Sequence, residues 1–298
     1  MNRKISIAVC YYLPETTYVN NEYCIPLQLG FHETGIEMGI QKDNTDDNRS
    51  LKHPVYSEYS GVYWLWKNVS SEYKGMMHHR RFFTLENISP SKKIRIYARL
   101  LKNYIKNLCK HSPISYSEII KCGSNEEYKE KLDCFSAKLP GLFESGYDII
   151  VPKPYHFYRI TIEEFFDGSV GRIMIGSLRL IFKNQYPDYY PYFEKTLRGS
   201  RLYYANLEIM RNEIFNEYCA FVFGVFDLLE NELLNKKCYI DLNKEMALYR
   251  TFGYIGEFVT HTFILKKKAE GFKVKELTVL YNCAVKGNET TDYSNIKL

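Results

Sequence analysis

The sequence predicts an α/β fold with a mostly parallel central sheet flanked by helices, and three observations predict it. Three short runs are apolar almost throughout: KISIAVCYY at 4–12, EYKGMMHH at 72–79 and YDIIVP at 147–152. Strands covered on both faces read this way, because neither face meets water. A segment with helical periodicity stands between the first two runs, which gives a β-loop-α-β start. No internal repeat or low-complexity linker divides the 298 residues, so they read as a single domain.

The elements follow in order. After the first strand, Pro14, Asn20, Asn21 and Pro26 mark a loop. QKDNTDDNRS (41–50) is the most polar decapeptide of the N-terminal half and reads as a second loop. In 56–68, Tyr59, Val62, Tyr63 and Trp66 recur at helical spacing, and Trp64 and Trp66 read as core. Residues 87–117 contain no acidic residue. Within them, 92–110 predicts a basic amphipathic helix: Ile94, Tyr97, Leu101, Tyr104, Ile105 and Leu108 share a face, and seven Lys or Arg fill the rest. Residues 169–197 read as a helix ending in QYPDYYPYF. Residues 201–233 read as strand, turn and a long helix from about Glu213. Residues 250–268 read as helix despite two glycines, and the alternation in 272–282 predicts a late edge strand.

Composition sets limits on function. The net charge of +5 is well short of the excess typical of nucleic-acid-binding domains, so no nucleic acid is expected as a partner. It suits an anionic small ligand or an anionic membrane surface. The eight cysteines form no C-x-x-C pair, several sit in apolar runs, and they read as buried free thiols in a reducing cytoplasm. The first apolar run is a strand rather than a signal peptide, and no window reaches the length of a membrane span.

Common nucleotide, zinc and hydrolase motifs are missing: no G-x-x-x-x-G-K-[ST], G-x-G-x-x-G, H-E-x-x-H or G-x-S-x-G occurs. What stands out is His78-His79-Arg80-Arg81 at the end of a buried strand. Open α/β sheets bind ligands at the carboxyl ends of their strands. Arginine matches phosphate oxygens bidentately, and histidine can donate to them or move a proton. The competing reading is a solvated cationic turn, or arginines paired with core carboxylates. Asp43, Asp46 and Asp47 could hold a divalent metal, but the segment reads better as a turn built from Asn and Asp. Glu58 could bond a sugar hydroxyl or cap the helix it precedes. Asn206 stands at a strand end within reach of a ligand. Arg250 and Glu257, seven apart, share a helix face, where they bind substrate or form a salt bridge.

NEYCIPLQLG, DNTDDNRSLKHPVYSEYSGVYWLWKN, YKGMMHHRRFF, YDIIVPK, NLEIMRNEIFNEYCAFVFGVFDLLE and RTFGYIGEF resemble, in order, the successive blocks of the DUF4422 family. That family groups bacterial proteins of capsule and exopolysaccharide gene clusters, regarded as GT-A-like glycosyltransferases. The resemblance implies a cytoplasmic hexosyltransferase-type enzyme; the basic helix of 92–110 either makes ordinary core contact or holds that enzyme at the inner face of the membrane. The enzyme would move a sugar from a nucleotide-sugar donor to a hydroxyl of a capsular, exopolysaccharide or lipid-linked glycan. A transferase of a phosphoryl-linked substituent, or a non-catalytic assembly scaffold, is the alternative. The family's His-Tyr-Arg-Arg corresponds to His78, His79, Arg80 and Arg81, with His79 a change of type. Its E-L-T-G-x-Y-W-x-W-K-N block corresponds to Glu58 to Asn68, and Tyr11 and Tyr12 stand where it has His-Lys. Residues 87–135 resemble a basic helical insertion into the one domain of 1–298. On this reading His78, Arg80 and Arg81 bind the donor diphosphate in place of the metal that many GT-A enzymes hold on an Asp-x-Asp pair. No cofactor is then expected, with Mg²⁺ or Mn²⁺ as the alternative. Glu58, Asn206 and Arg250 bind substrate, and His79, Asp148 and Glu257 are the candidates for the base that takes the acceptor proton.

Overall fold

The computed structural model describes residues 3–15, 18–106, 114–166, 169–235 and 250–284. Strand β1 (Arg3–Tyr11) sets Ile5, Ile7, Val9 and Tyr11 on one face and Ala8 and Cys10 on the other, all buried. It is followed by β2 (Cys24–Gln28), the single turn α1 (Phe31–Thr34), β3 (Gln41–Lys42) and a 3₁₀ turn at Ser50–Lys52. The helix expected over 56–68 is two helices, α2 (His53–Tyr56) and α3 (Tyr59–Asn68). They are separated at Ser57, whose φ of 54° no right-handed helix contains. Then come β4 (Ser71–His78), β5 (Arg81–Thr84), α4 (Pro90–Lys106), β6 (Ile114–Tyr116), β7 (Ile119–Cys122) and α5 (Asn125–Glu144). Ser124 caps α5, its hydroxyl accepting the Glu127 N–H at 3.2 Å. The chain continues with β8 (Ile149–Pro152), β9 (Tyr155–Tyr158), α6 (Ile162–Phe165), α7 (Ser169–Gln185), α8 (Tyr190–Arg198) and β10 (Arg201–Leu202). It closes with β11 (Glu208–Arg211), α9 (Asn212–Asn235), α10 (Thr251–Ala269) and β12 (Val274–Asn282).

The sheet is mixed, which corrects the mostly parallel expectation. β3, β2, β1 and β4 run parallel, and so do β8, β12 and β7. The two groups are joined by antiparallel strands: β11 lies between β4 and β8, and β5 between β4 and β12. These contacts close a five-strand ring, β4-β11-β8-β12-β5. β12 was expected at an edge. It pairs with three strands and buries Leu277, Thr278, Val279 and Leu280, because it is itself a strand of the ring with partners along its whole length. A separate antiparallel sheet, β10-β9-β6, stands beside the main one.

The sheet forks at the carboxyl end of β4. β11 pairs with residues 73–76, whereas β5 turns back from His78. Close approach of β11 needs Gly75: a Cβ there would come within 2.3 Å of the Glu208 carbonyl oxygen. One core lies between the sheet and α3, α7, α8, α9 and α10; the other lies under α5. Trp64 is buried and Trp66 stacks on Phe223, consistent with their core reading. Cys10, Cys24, Cys122 and Cys219 are buried thiols and Cys134 and Cys283 are exposed, while Cys109 and Cys238 lie outside the described residues. Among the described residues, no helix is long and apolar enough to cross a membrane.

Candidate functional site

A cleft opens at the fork. Ser57 and Glu58 line it from the junction of α2 and α3, His78 from the end of β4 and Arg81 from the start of β5. Ala205 and Asn206 enter from the loop before β11; Arg250, Gly253, Tyr254 and Glu257 come from the first turns of α10. Six non-glycine residues in the described structure have positive φ: Asp46, Ser57, Arg159, Ala205, Asn206 and Arg250. Four of them line this cleft. A positive φ costs a side-chain-bearing residue on the order of 1 kcal/mol or more, and such strain gathers where backbone placement serves a ligand.

The charges are tightly arranged. Arg250 donates from Nη2 to Glu58 Oε1 at 3.0 Å and from Nε to Ser57 Oγ at 3.3 Å. Ser57 Oγ in turn donates to Glu58 Oε2 at 2.6 Å. His78 Nδ1 lies 3.4 Å from Glu58 Oε1. Burial pushes the Glu58 carboxyl up, but His78, Arg250 and Ser57 outweigh it and hold it well below the usual range. Burial pushes His78 down to about 4, and Arg81 and Arg250 reinforce that against Glu58. The imidazole is therefore neutral near pH 7, and the standing ion pair is Glu58 with Arg250. The Nε2 of His78 is buried and has no hydrogen-bond partner among the described residues. Opposite, Glu257 Oε1 accepts the Ala205 N–H at 2.7 Å, and Asn206 Nδ2 donates to the Gly253 carbonyl at 3.2 Å. Behind Asn206, Tyr59 donates to its Oδ1 at 3.1 Å and lies 3.0 Å from the Thr260 hydroxyl. The cleft wall is thus hydrogen-bonded into the core.

Six of the residues singled out from sequence meet here: Glu58, His78, Arg81, Asn206, Arg250 and Glu257. Three do not line the cleft. His79 turns the other way, with Nδ1 3.2 Å from the Cys10 carbonyl and Nε2 3.5 Å from Glu15, and burial pushes it down to about 3. Arg80 faces Glu15 and the Tyr281 ring, whose centroid is 5.7 Å away. Asp148 lies at the opposite end of the sheet. Its Oδ2 accepts the Lys273 N–H at 3.0 Å, and Arg211 is 3.3 Å from its Oδ1. Arg211 pairs with Tyr73, five residues before His78 along β4, so about 16 Å separates the two ends. Glu58 does not cap α3: its side chain makes no capping hydrogen bond.

Asp43, Asp46 and Asp47 do not converge. Asp43 is fully buried and accepts from Ser50 at 2.7 Å, Asp46 occupies a left-handed turn position, and Asp47 accepts from Tyr63 at 3.1 Å. Ser57, Tyr254 and Glu15 were not singled out from sequence. Tyr254 carried a signal, since it falls one turn after Arg250 on the face shared with Glu257. Glu15 carried none: only the fold brings it beside His79 and Arg80, where burial, opposed by Arg80, raises its carboxyl to about 7.

Residues 6–268 match the model of DUF4422, a domain of unknown function. The chain belongs to the DUF4422 family. No curated protein sequence matches it. Among solved structures, this DUF4422 chain is similar to the apo structure of WbbM, a bifunctional glycosyltransferase, with 23% sequence identity and a TM-score of 0.71. The match covers 94% of this chain and 45% of WbbM, so the DUF4422 chain spans less than half the length of that protein. At that identity, the likeness establishes a shared fold.

Proposed function

We propose that this protein is a glycosyltransferase that moves a sugar from a nucleotide-sugar donor to a hydroxyl of a glycan acceptor. The observation that carries the reading is the strained, two-signed cleft at the carboxyl end of β4. Arg81 and Arg250 line it with Glu257, Asn206 and His78, and the buried Nε2 of His78 has no hydrogen-bond partner among the described residues. A fold shared with a known glycosyltransferase supports it.

In this scheme Arg81 and Arg250 hold the donor diphosphate, with Glu58 and Ser57 fixing the Arg250 guanidinium. Charged hydrogen bonds to an anion that gains charge as it leaves stabilise the transition state more than the ground state. Asn206 and His78 bond sugar hydroxyls. Glu257, held by the Ala205 N–H, accepts the proton of the acceptor hydroxyl. The acceptor oxygen bonds to the sugar's anomeric carbon, the bond from that carbon to phosphate breaks, and the diphosphate leaves with the electron pair. The strand end where an Asp-x-Asp pair would bind a divalent ion carries two His and two Arg, and Glu58 is already engaged by Arg250. These residues do not fit such an ion.

The test is a panel of nucleotide sugars screened by thermal shift, then by donor turnover with and without glycan acceptors. At least one donor is expected to stabilise the protein, by about 2.7 kcal/mol at 100 times its dissociation constant. Glu257→Gln keeps the acceptor for the Ala205 N–H and removes the base. It is expected to lower transfer by about 100-fold or more with donor binding intact. Binding without turnover of any donor would leave a sugar-nucleotide-binding protein instead of an enzyme.

A further inference from the structure

Among the described residues, one face of α4 stays largely exposed, with Tyr97 beside Tyr116 and Tyr104 beneath Arg159 at its margin. Ile94, Tyr97, Leu101, Tyr104 and Ile105 of α4 are 42% to 69% exposed, and they are five of the nine large exposed hydrophobics among the described residues. An apolar stripe of this kind marks an interaction surface. Next to it Arg95, Arg99 and Lys102 are also exposed, and no Asp or Glu occurs from 87 to 117. The helix is anchored along its opposite edge. Ile96 and Leu100 are half-buried, Lys93 pairs with Glu118 at 2.9 Å, and the Tyr97 ring lies 6.1 Å from that of Tyr116 in β6.

We propose that α4 docks this protein on an anionic lipid surface. The stripe from Ile94 to Ile105 enters the boundary between headgroups and acyl chains, while Arg95, Arg99 and Lys102 meet lipid phosphates. Charge selects this occupant. A second copy of the chain would bring one acid-free cationic helix against another, whereas an anionic leaflet neutralises both the cations and their mutual repulsion. Placement agrees with it. α4 rests on the small sheet, where Ser115 bonds Tyr155 at 2.7 Å, and Ser117 just beyond β6 donates to Tyr204 at 2.5 Å. Tyr155 and Tyr204 line a small aromatic pocket that also reaches Glu257. Docking through α4 thus sets the candidate cleft close to the membrane, where an acceptor carried on a lipid would lie. The surface is independent of the sugar-transfer reading, because vesicle binding needs no substrate.

The experiment is co-sedimentation with vesicles of phosphatidylcholine alone and of phosphatidylcholine mixed with phosphatidylglycerol. The protein is expected to sediment with the mixed vesicles only and to be released by salt. Arg95→Glu with Arg99→Glu and Lys102→Glu is expected to weaken binding by about 100-fold, at about fivefold per cation. Leu101→Ser with Ile105→Ser is expected to weaken it as well, and both variants should keep the wild-type melting temperature. Equal binding to neutral vesicles, or none to anionic ones, overturns the proposal. So does a lipid-free dimer in sedimentation velocity that the serine variant dissociates, which would make the face an interface between copies.

Discussion

At the scale of single residues, the informative contrast is between Arg80 and Arg81. They are neighbours in sequence and chemically identical, yet the hairpin between β4 and β5 sends only Arg81 into the cleft. Arg81→Ala is expected to weaken nucleoside diphosphate binding by about 1.5–3 kcal/mol, the size of a charged hydrogen bond. Arg80→Ala should change it by less than about 1 kcal/mol. Isothermal titration calorimetry decides, and equal losses in both variants would remove the distinction drawn from the cleft. The chemistry of the His-His-Arg-Arg segment was legible in sequence, as was its place at a strand end. Which of the four side chains share one solvent space was not. That depends on the pairing of His78 with Arg81, a register set by tertiary contacts.

At the scale of elements, the site rests on the contact between α3 and α10. Gly256 makes it possible: a Cβ there would come within 2.1 Å of the Tyr59 ring. Tyr59 is fully buried, and its hydroxyl holds Asn206 and Thr260. Gly256→Ala therefore forces two packed helices apart and is expected to destabilise the protein by about 1–3 kcal/mol. Urea unfolding measures that loss. Donor affinity should fall too, because Asn206 is hydrogen-bonded to the displaced phenol and Glu257 follows Gly256 in α10. A glycine within a helical pattern reads from sequence as a weak spot, as Gly253 and Gly256 did. The phenol it accommodates lies almost 200 positions away in the chain, and no local pattern announces it. The same limit applies to α4. Its amphipathicity is a property of residues 92–110, but whether its apolar face would be covered depended on what the rest of the chain packs there.

At the scale of the whole molecule, the buried carboxyl of Glu208 gives a pH dependence. It is fully buried, neither oxygen has a hydrogen-bond partner among the described residues, and burial raises it to about 8. In the unfolded chain it titrates near 4.3. Between those values the folded state holds a proton that the unfolded state has lost, so stability falls as pH rises through that window. Glu208→Gln removes this term. Thermal melts from pH 4 to 9 should show the variant gaining on wild type as pH rises, with the gap level above about pH 8; a gap independent of pH would mean that Glu208 does not titrate on unfolding. The sequence by itself determined the α/β class, the buried runs that became β1, β4 and β8, and the helical character of 56–68, 92–106, 169–197, 213–233 and 250–268, but not α5 or the breaks that split two of these segments. Local periodicity and burial on both faces are written in the spacing of apolar residues. It also determined which residue types could handle a diphosphate. Only the tertiary structure decided that β5 and β11 run against their neighbours and close a ring, and that β12 is one of its strands. It alone placed Asp148 and Glu257 at opposite ends and joined Glu58 to Arg250. Strand direction and partner choice depend on contacts between residues far apart in the chain, and those arise only when the two cores pack together.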